Sequence, residues 1–202
     1  YINMLNNDQH DLQLHCHPCW DHFANPNWKD ALDTTPKDYY GGRSLAEIVN
    51  SLQFALDAFE EWKVPKPKAF RAGNLMASTT LYKALAQCGI GLASNIGLPY
   101  FKPEEKELHI ENCVKSISGV KELPITTFTS LAGRKKILTI TGCSAKETRS
   151  VLKDCYDKGV EYVVVLTHVH EFTKGKKRNR VNLTRLNNVC NLVNEHEQYS
   201  FS

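Results

Sequence analysis

No stretch of this chain approaches about 18 uninterrupted apolar residues, and its start has neither the charged nor the apolar region of a signal peptide. A membrane span is therefore not expected. Paired CxxC motifs are also absent, the single CxxC being Cys16-His17-Pro18-Cys19. The seven cysteines, an odd number, are scattered, which argues against a disulfide framework or a cysteine-rich zinc knuckle and for a reducing compartment. A large excess of one charge sign is absent too, since a net charge of +3 is too small to argue for nucleic acid or a membrane surface. Internal repeats and low-complexity tracts are missing. So is an initiator methionine: the chain starts at Tyr1, close to a strand that already carries candidate site residues, and reads as one whose beginning is missing. What remains is ordinary globular material. The 202 residues, 42% hydrophobic and 23% charged, predict one domain over residues 1–202 with a single core.

The most informative stretch is His15-Cys16-His17-Pro18-Cys19-Trp20, which closes the alternating run Asp11-Leu12-Gln13-Leu14. Side chains two apart on a strand face the same way, so His15 and His17 present two imidazoles on one side, roughly 7 Å apart at the backbone. Pro18 cannot donate to a sheet ladder, which places the pair at the C-terminal rim of a strand. Open α/β sheets bind their ligands at that rim.

A polar loop follows, through Pro26, Trp28 and Pro36 to Tyr39-Tyr40-Gly41-Gly42. Its length suggests function, and Trp20, Trp28, Tyr39 and Tyr40 offer stacking faces to a ligand, with packing the competing use of each ring. Ser44-Leu45-Ala46-Glu47 is a capping box opening an amphipathic helix that carries Leu45, Ile48, Val49, Leu52, Leu56 and Phe59. Ala69 to Gly73 is a short strand broken by its glycine, a second helix runs from about Thr79 to Gly89, and a strand lies near Leu92-Ala93-Ser94. Residues 97 to 121 are poorly patterned, as in a lid or excursion. Glu122 to Phe128 and Lys136 to Thr141 read as strands, and Ser144 to Glu147 is a second capping box, opening a helix that stops before Gly159. Val160 to Leu166 has the composition of a strand covered on both faces and ends in Thr167-His168. A basic loop, Lys174 to Arg180, precedes a last helix carrying Leu183, Leu186, Val189, Cys190 and Val193. Helices alternating with strands predict an α/β architecture with a largely parallel sheet or barrel.

In that architecture His15 and His17, Arg71, and His168 all fall at strand C-terminal ends. Neutral imidazoles there suit zinc or another divalent ion, which lowers the pKa of bound water to about 7 and polarises a carbonyl oxygen. Three protein ligands are usual in such a site, and the third is open between Cys19, His22 and a carboxylate from a missing segment. Arg71 at a strand end implies a carboxylate partner. His168, with an ordinary imidazole pKa near 6.5, suits protonation of a leaving group. Together these groups describe metal-assisted amide hydrolysis.

Taken in order, Asp11 to Trp20, Phe70-Arg71-Ala72-Gly73, Glu122-Leu123-Pro124 and Leu166 to Phe172 resemble the polysaccharide deacetylases with the NodB-type domain. The likeness is greatest to the branch from bacterial surface-polysaccharide gene clusters, with LHxHPxW and FRAG motifs. The resemblance implies a distorted (β/α) barrel, here lacking its first strand, and a divalent metal, zinc, bound by an aspartate and two histidines. His15 matches the first histidine ligand, while His17 or Cys19 matches the second. Arg71 matches the arginine that holds the catalytic aspartate, Leu123-Pro124 lies where members form a groove wall, and His168 matches the histidine that protonates the departing amine, with His170 a substitute. Trp20, Trp28, Tyr40 and Leu123 are the expected substrate contacts. The family's first motif, an Asp-Asp pair, has no counterpart in this sequence. The implied activity is removal of an acyl group from an N-acylated sugar of a surface polysaccharide or its precursor, in the bacterial cytoplasm. The rival reading is a carbohydrate-binding protein that keeps the groove and has lost catalysis.

Overall fold

The computed structural model describes residues 10–20, 22, 27, 38–175, 177–197 and 199–201. These fall into two compact units, the first built from residues 1–110 and 114–124, the second from 111–113 and 125–202. Buried apolar side chains correspondingly form two clusters where composition predicts a single core.

The first unit holds a five-stranded sheet: β1 (Leu14–Cys16), β2 (Ala69–Ala72), β3 (Leu92–Ala93), β4 (Lys115–Ile117) and β5 (Val120–Glu122). The order is β1-β2-β3-β5-β4, with every pair parallel except the β4–β5 hairpin. The expected parallel α/β arrangement is present here. Alternation along β1 and β2 sends Leu14, Cys16, Phe70 and Ala72 into the core and leaves His15 and Arg71 on the opposite face, where they are register partners. Helices α1 (Leu45–Glu61) and α2 (Thr79–Gln87) pack on each other and supply Ile48, Leu52, Leu56, Leu81, Tyr82 and Leu85 to that core. Ser44 caps α1 in the predicted box, accepting from the Glu47 amide while the Glu47 carboxylate accepts from the Ser44 amide at 2.7 Å. Gly89, at φ +74°, closes α2 in the left-handed conformation that a helix end takes up.

Residues 97 to 121, expected to be an excursion, contain β4 and the start of β5. Ser118 and Gly119 join these strands at φ +51° and +85°, the pair of left-handed residues that a two-residue hairpin turn demands. The strand expected over 122–128 is also broken. Its first residue ends β5 and its last two begin β6 (Thr127–Thr129), because Pro124 between them has no N–H for a ladder.

In the second unit β6 pairs antiparallel with β7 (Lys135–Ile137), and β8 (Thr173–Lys174) with β9 (Lys177–Arg178). Helices α3 (Ala145–Asp157) and α4 (Arg180–Glu195) pack together, and Ser144 opens α3 in the second predicted capping box. Leu138, Cys143, Val151 and Cys155 form the cluster, joined by Phe128, Val160, Val163 and Val165. The segment 160–166, expected to be a strand covered on both faces, is half-buried and keeps one parallel bridge, Thr139 with Leu166. The Val164 amide donates to the Thr126 hydroxyl at 2.8 Å rather than to a backbone carbonyl, which interrupts the ladder. No helix among the described residues is long and apolar enough to cross a membrane.

Candidate functional site

The chain leaves β1 at Cys16 and turns through Pro18, whose carbonyl accepts from Arg43 Nη2 at 3.0 Å. That turn brings His17 and Cys19 against Asp38. One ligand atom from each of the three lies within 4.8 Å of the others, an arrangement that can hold a metal ion. The His17 Nδ1 to Asp38 Oδ2 distance is 2.5 Å, and the same oxygen accepts from Asn74 Nδ2 at 2.6 Å. Asn74 reaches it by taking a left-handed backbone, φ +51°, directly after Gly73. Asp38 Oδ1 is buried without a hydrogen-bond partner among the described residues. An orphaned carboxylate oxygen beside an imidazole and a thiol is costly unless a cation completes it. Burial first, and then the Asp38 charge, push the Cys19 thiol above its ordinary value. Nitrogen, sulfur and oxygen donors, three in number, fit zinc or a comparable divalent ion with one position left for water or substrate.

This grouping changes the ligand set expected from sequence. His17 and Cys19, both offered by the sequence, fall within the group, and Asp38 supplies the carboxylate that the sequence left open. His15 stands outside the group: it is exposed, with Nδ1 2.9 Å from the Arg71 carbonyl oxygen, although its ring is only 4.9 Å from that of His17. The outward alternation of β1 points His15 along the sheet face, whereas the turn after Cys16 redirects His17. His22 also lies outside the group.

Gly73 links two of the sequence motifs. A Cβ built on it would lie 2.3 Å from His17 Nδ1, so only glycine leaves room for the imidazole. Arg71, two residues earlier, turns its guanidinium to the neighbouring strand, Nε to the Ser94 carbonyl and Nη2 to the Ser94 hydroxyl, both at 3.2 Å. Burial pulls its pKa below the ordinary value and the Glu122 charge opposes that pull.

Glu122, which sequence reasoning treated only as part of a strand, is fully buried. Its carboxyl accepts from the Tyr82 hydroxyl at 2.8 Å and from the amides of Asn95 and Ile96 at 2.9 and 3.0 Å. Burial pushes its pKa up to about 7 against those three bonds and the Arg71 charge. Asn95 in turn accepts from the Ala72 amide at 2.7 Å, so Glu122 fixes the segment that holds both Arg71 and the approach to Gly73. The sequence signal was the demand of Arg71 for a carboxylate.

Of the expected substrate contacts, Trp20 is half exposed with its ring 5.0 Å from that of His17, free to stack on a ligand. Tyr40 does not serve that purpose: it is 1% exposed, packed edge to face on Phe70 in the core, because its amide donates to Met76 and draws the ring inward. Leu123 is half-buried, extending the β5 pairing through a 2.8 Å bond to the Ala93 carbonyl. Trp28 lies outside the described residues.

His168 belongs to the second unit, where it precedes a single 3-10 turn, Val169–Phe172. Its amide donates to Glu171 Oε2 at 2.9 Å and its Nδ1 lies 3.8 Å from Glu171 Oε1. Glu171 also accepts from the hydroxyls of Thr141 and Thr167 at 2.9 and 2.7 Å, and it is held in the ionised form below the ordinary carboxylate pKa. A fixed carboxylate thus faces an exposed imidazole whose neighbour, His170, has its ring 5.2 Å away. Protein-family models, curated proteins and solved structures were all compared with this chain, and none matched.

Proposed function

We propose that this chain is a metal-dependent amidohydrolase of the polysaccharide-deacetylase type, on a distorted (β/α) barrel, that removes an acyl group from an N-acylated sugar. The observation that carries the reading is the group of His17, Cys19 and Asp38, with its orphaned Asp38 oxygen, next to the end of the parallel strand β1. A bound divalent ion, zinc by its donor set, would polarise the amide carbonyl. Water adds to the acyl carbon as the C–N bond breaks, giving a carboxylic acid and a free amine, and three residues of this chain serve that step. Trp20 offers a half-exposed indole to a sugar ring beside His17. Arg71 keeps a positive charge near the site, held by Ser94 and balanced by Glu122. In the same reading His168 protonates the departing amine nitrogen, the role that the family resemblance gives it. Cytoplasmic location and a surface-polysaccharide precursor as substrate belong to the same reading.

The test is elemental analysis of the purified protein followed by assay of amine release from N-acetylated amino-sugar oligomers. One equivalent of zinc and metal-dependent amine release are expected. Protein that takes up no divalent ion sinks the reading. A chain that holds zinc and sugar but releases no amine is instead a carbohydrate-binding protein.

A further inference from the structure

The small overall charge hides a polarised distribution. The second unit carries thirteen Lys and Arg against eight Asp and Glu, a net +5, while the first is net −2. Much of that excess is concentrated at the β8–β9 hairpin and the residues after it. Lys174, Lys177, Arg178 and Arg180, with Asn179 and Val181, line a concave site of about 670 Å³. Lys174 and Lys177 are direct register partners across the hairpin, and like charges in that relation destabilise a β pair. Among the described residues none of the four cations forms an ion pair, and the first turn of α4 contains no acidic residue.

A surface that needed only solubility would interleave signs here. We infer that this concavity is a binding site for a small ligand bearing a diphosphate group. Two lysines facing each other across a hairpin and two arginines beside them match two linked phosphates, with Arg supplying paired donors to each phosphate's oxygens. The volume is that of a small-molecule site, in the usual range of about 300–1,000 Å³. A concave shape suits a compact anion better than a bilayer surface or a duplex, and a net charge of +3 gives no general attraction to either. Asn179 also lines the site, its side chain fixed by the Asn182 amide and the Glu171 carbonyl.

The test titrates inorganic diphosphate, and separately inorganic phosphate, into the whole chain by calorimetry without added divalent metal. Saturable one-to-one binding of diphosphate is expected, at least tenfold tighter than phosphate, weakening as salt is raised. The double variant K177E/R178E should weaken it tenfold or more with the melting temperature retained, since both side chains are exposed and the like-charge pair is relieved. The neutral variant K177Q should show a smaller loss in the same direction. Absence of saturable diphosphate binding, equal affinity for phosphate, or an unchanged affinity in K177E/R178E each overturns the proposal. So does binding to anionic lipid vesicles or to RNA that diphosphate fails to displace. None of these readouts uses amine release or zinc, so the site stands or falls independently of the hydrolase reading.

Discussion

His17 and Asp38 are twenty-one residues apart in the chain and 2.5 Å apart through Nδ1 and Oδ2. Gly73 leaves room for the His17 ring and Asn74 donates to the same Asp38 oxygen, so the turn after β1 and the residues after β2 converge on one carboxylate.

Metal content separates the ligands from their neighbours. H17A, C19S and D38N should each lower zinc affinity by at least tenfold, measured by competition with a chromogenic chelator, while H15A should leave stoichiometric zinc in place. Zinc lost in H15A and kept in D38N would reverse the ligand assignment.

Substitution of Gly73 probes the same site without touching a donor atom. A methyl at the position 2.3 Å from His17 Nδ1 must displace the imidazole. G73A should therefore weaken zinc by tenfold or more, on the scale of lost ligand-orienting contacts. Its far-ultraviolet circular dichroism should remain that of the parent. Full zinc affinity in G73A would show that His17 is not held where the structure has it.

Stability should depend on pH through Glu122. Its carboxyl has an ordinary pKa of 4.5 and one of about 7 when folded, so folding favours the protonated form. The contribution is complete below about pH 4.5 and is lost as pH rises through 7, by about 3 kcal/mol in all. Urea midpoints between pH 5 and 8 should fall with rising pH in the parent and fall less in E122Q. An equal slope in E122Q would place the titrating group elsewhere.

The proton donor is tested by kinetics. H168A should lower kcat for amine release by about 10²- to 10⁴-fold. E171Q removes the charge facing His168 Nδ1 while keeping the hydroxyl bonds of Thr141 and Thr167 in reach, so it should lower kcat more than it changes KM. Unchanged turnover in H168A would remove His168 from the role.

Whatever is decided within one turn of chain is legible in the order of residues alone. Ser44 and Ser144 open α1 and α3 because the capping box is a contact between residues three apart, and Gly89 ends α2 because the last carbonyls need a left-handed residue nearby. The outward placement of His15 and Arg71 follows from a period of two, and parallel pairing follows from strands alternating with helices. The rest depends on contacts between residues far apart in the chain. Asp38 had no periodicity to mark it, and its partnership with His17 and Cys19 exists because the chain returns to the end of β1. Glu122 reads in sequence as one charge at a strand end, and becomes a buried carboxyl with a raised pKa only through the helix that brings Tyr82 and the segment that brings Asn95. Tyr40 is indistinguishable in sequence from a ligand-facing ring and was claimed by Phe70 and the core. Local patterns fix direction and periodicity, but burial and the meeting of distant donors are properties of the packed chain.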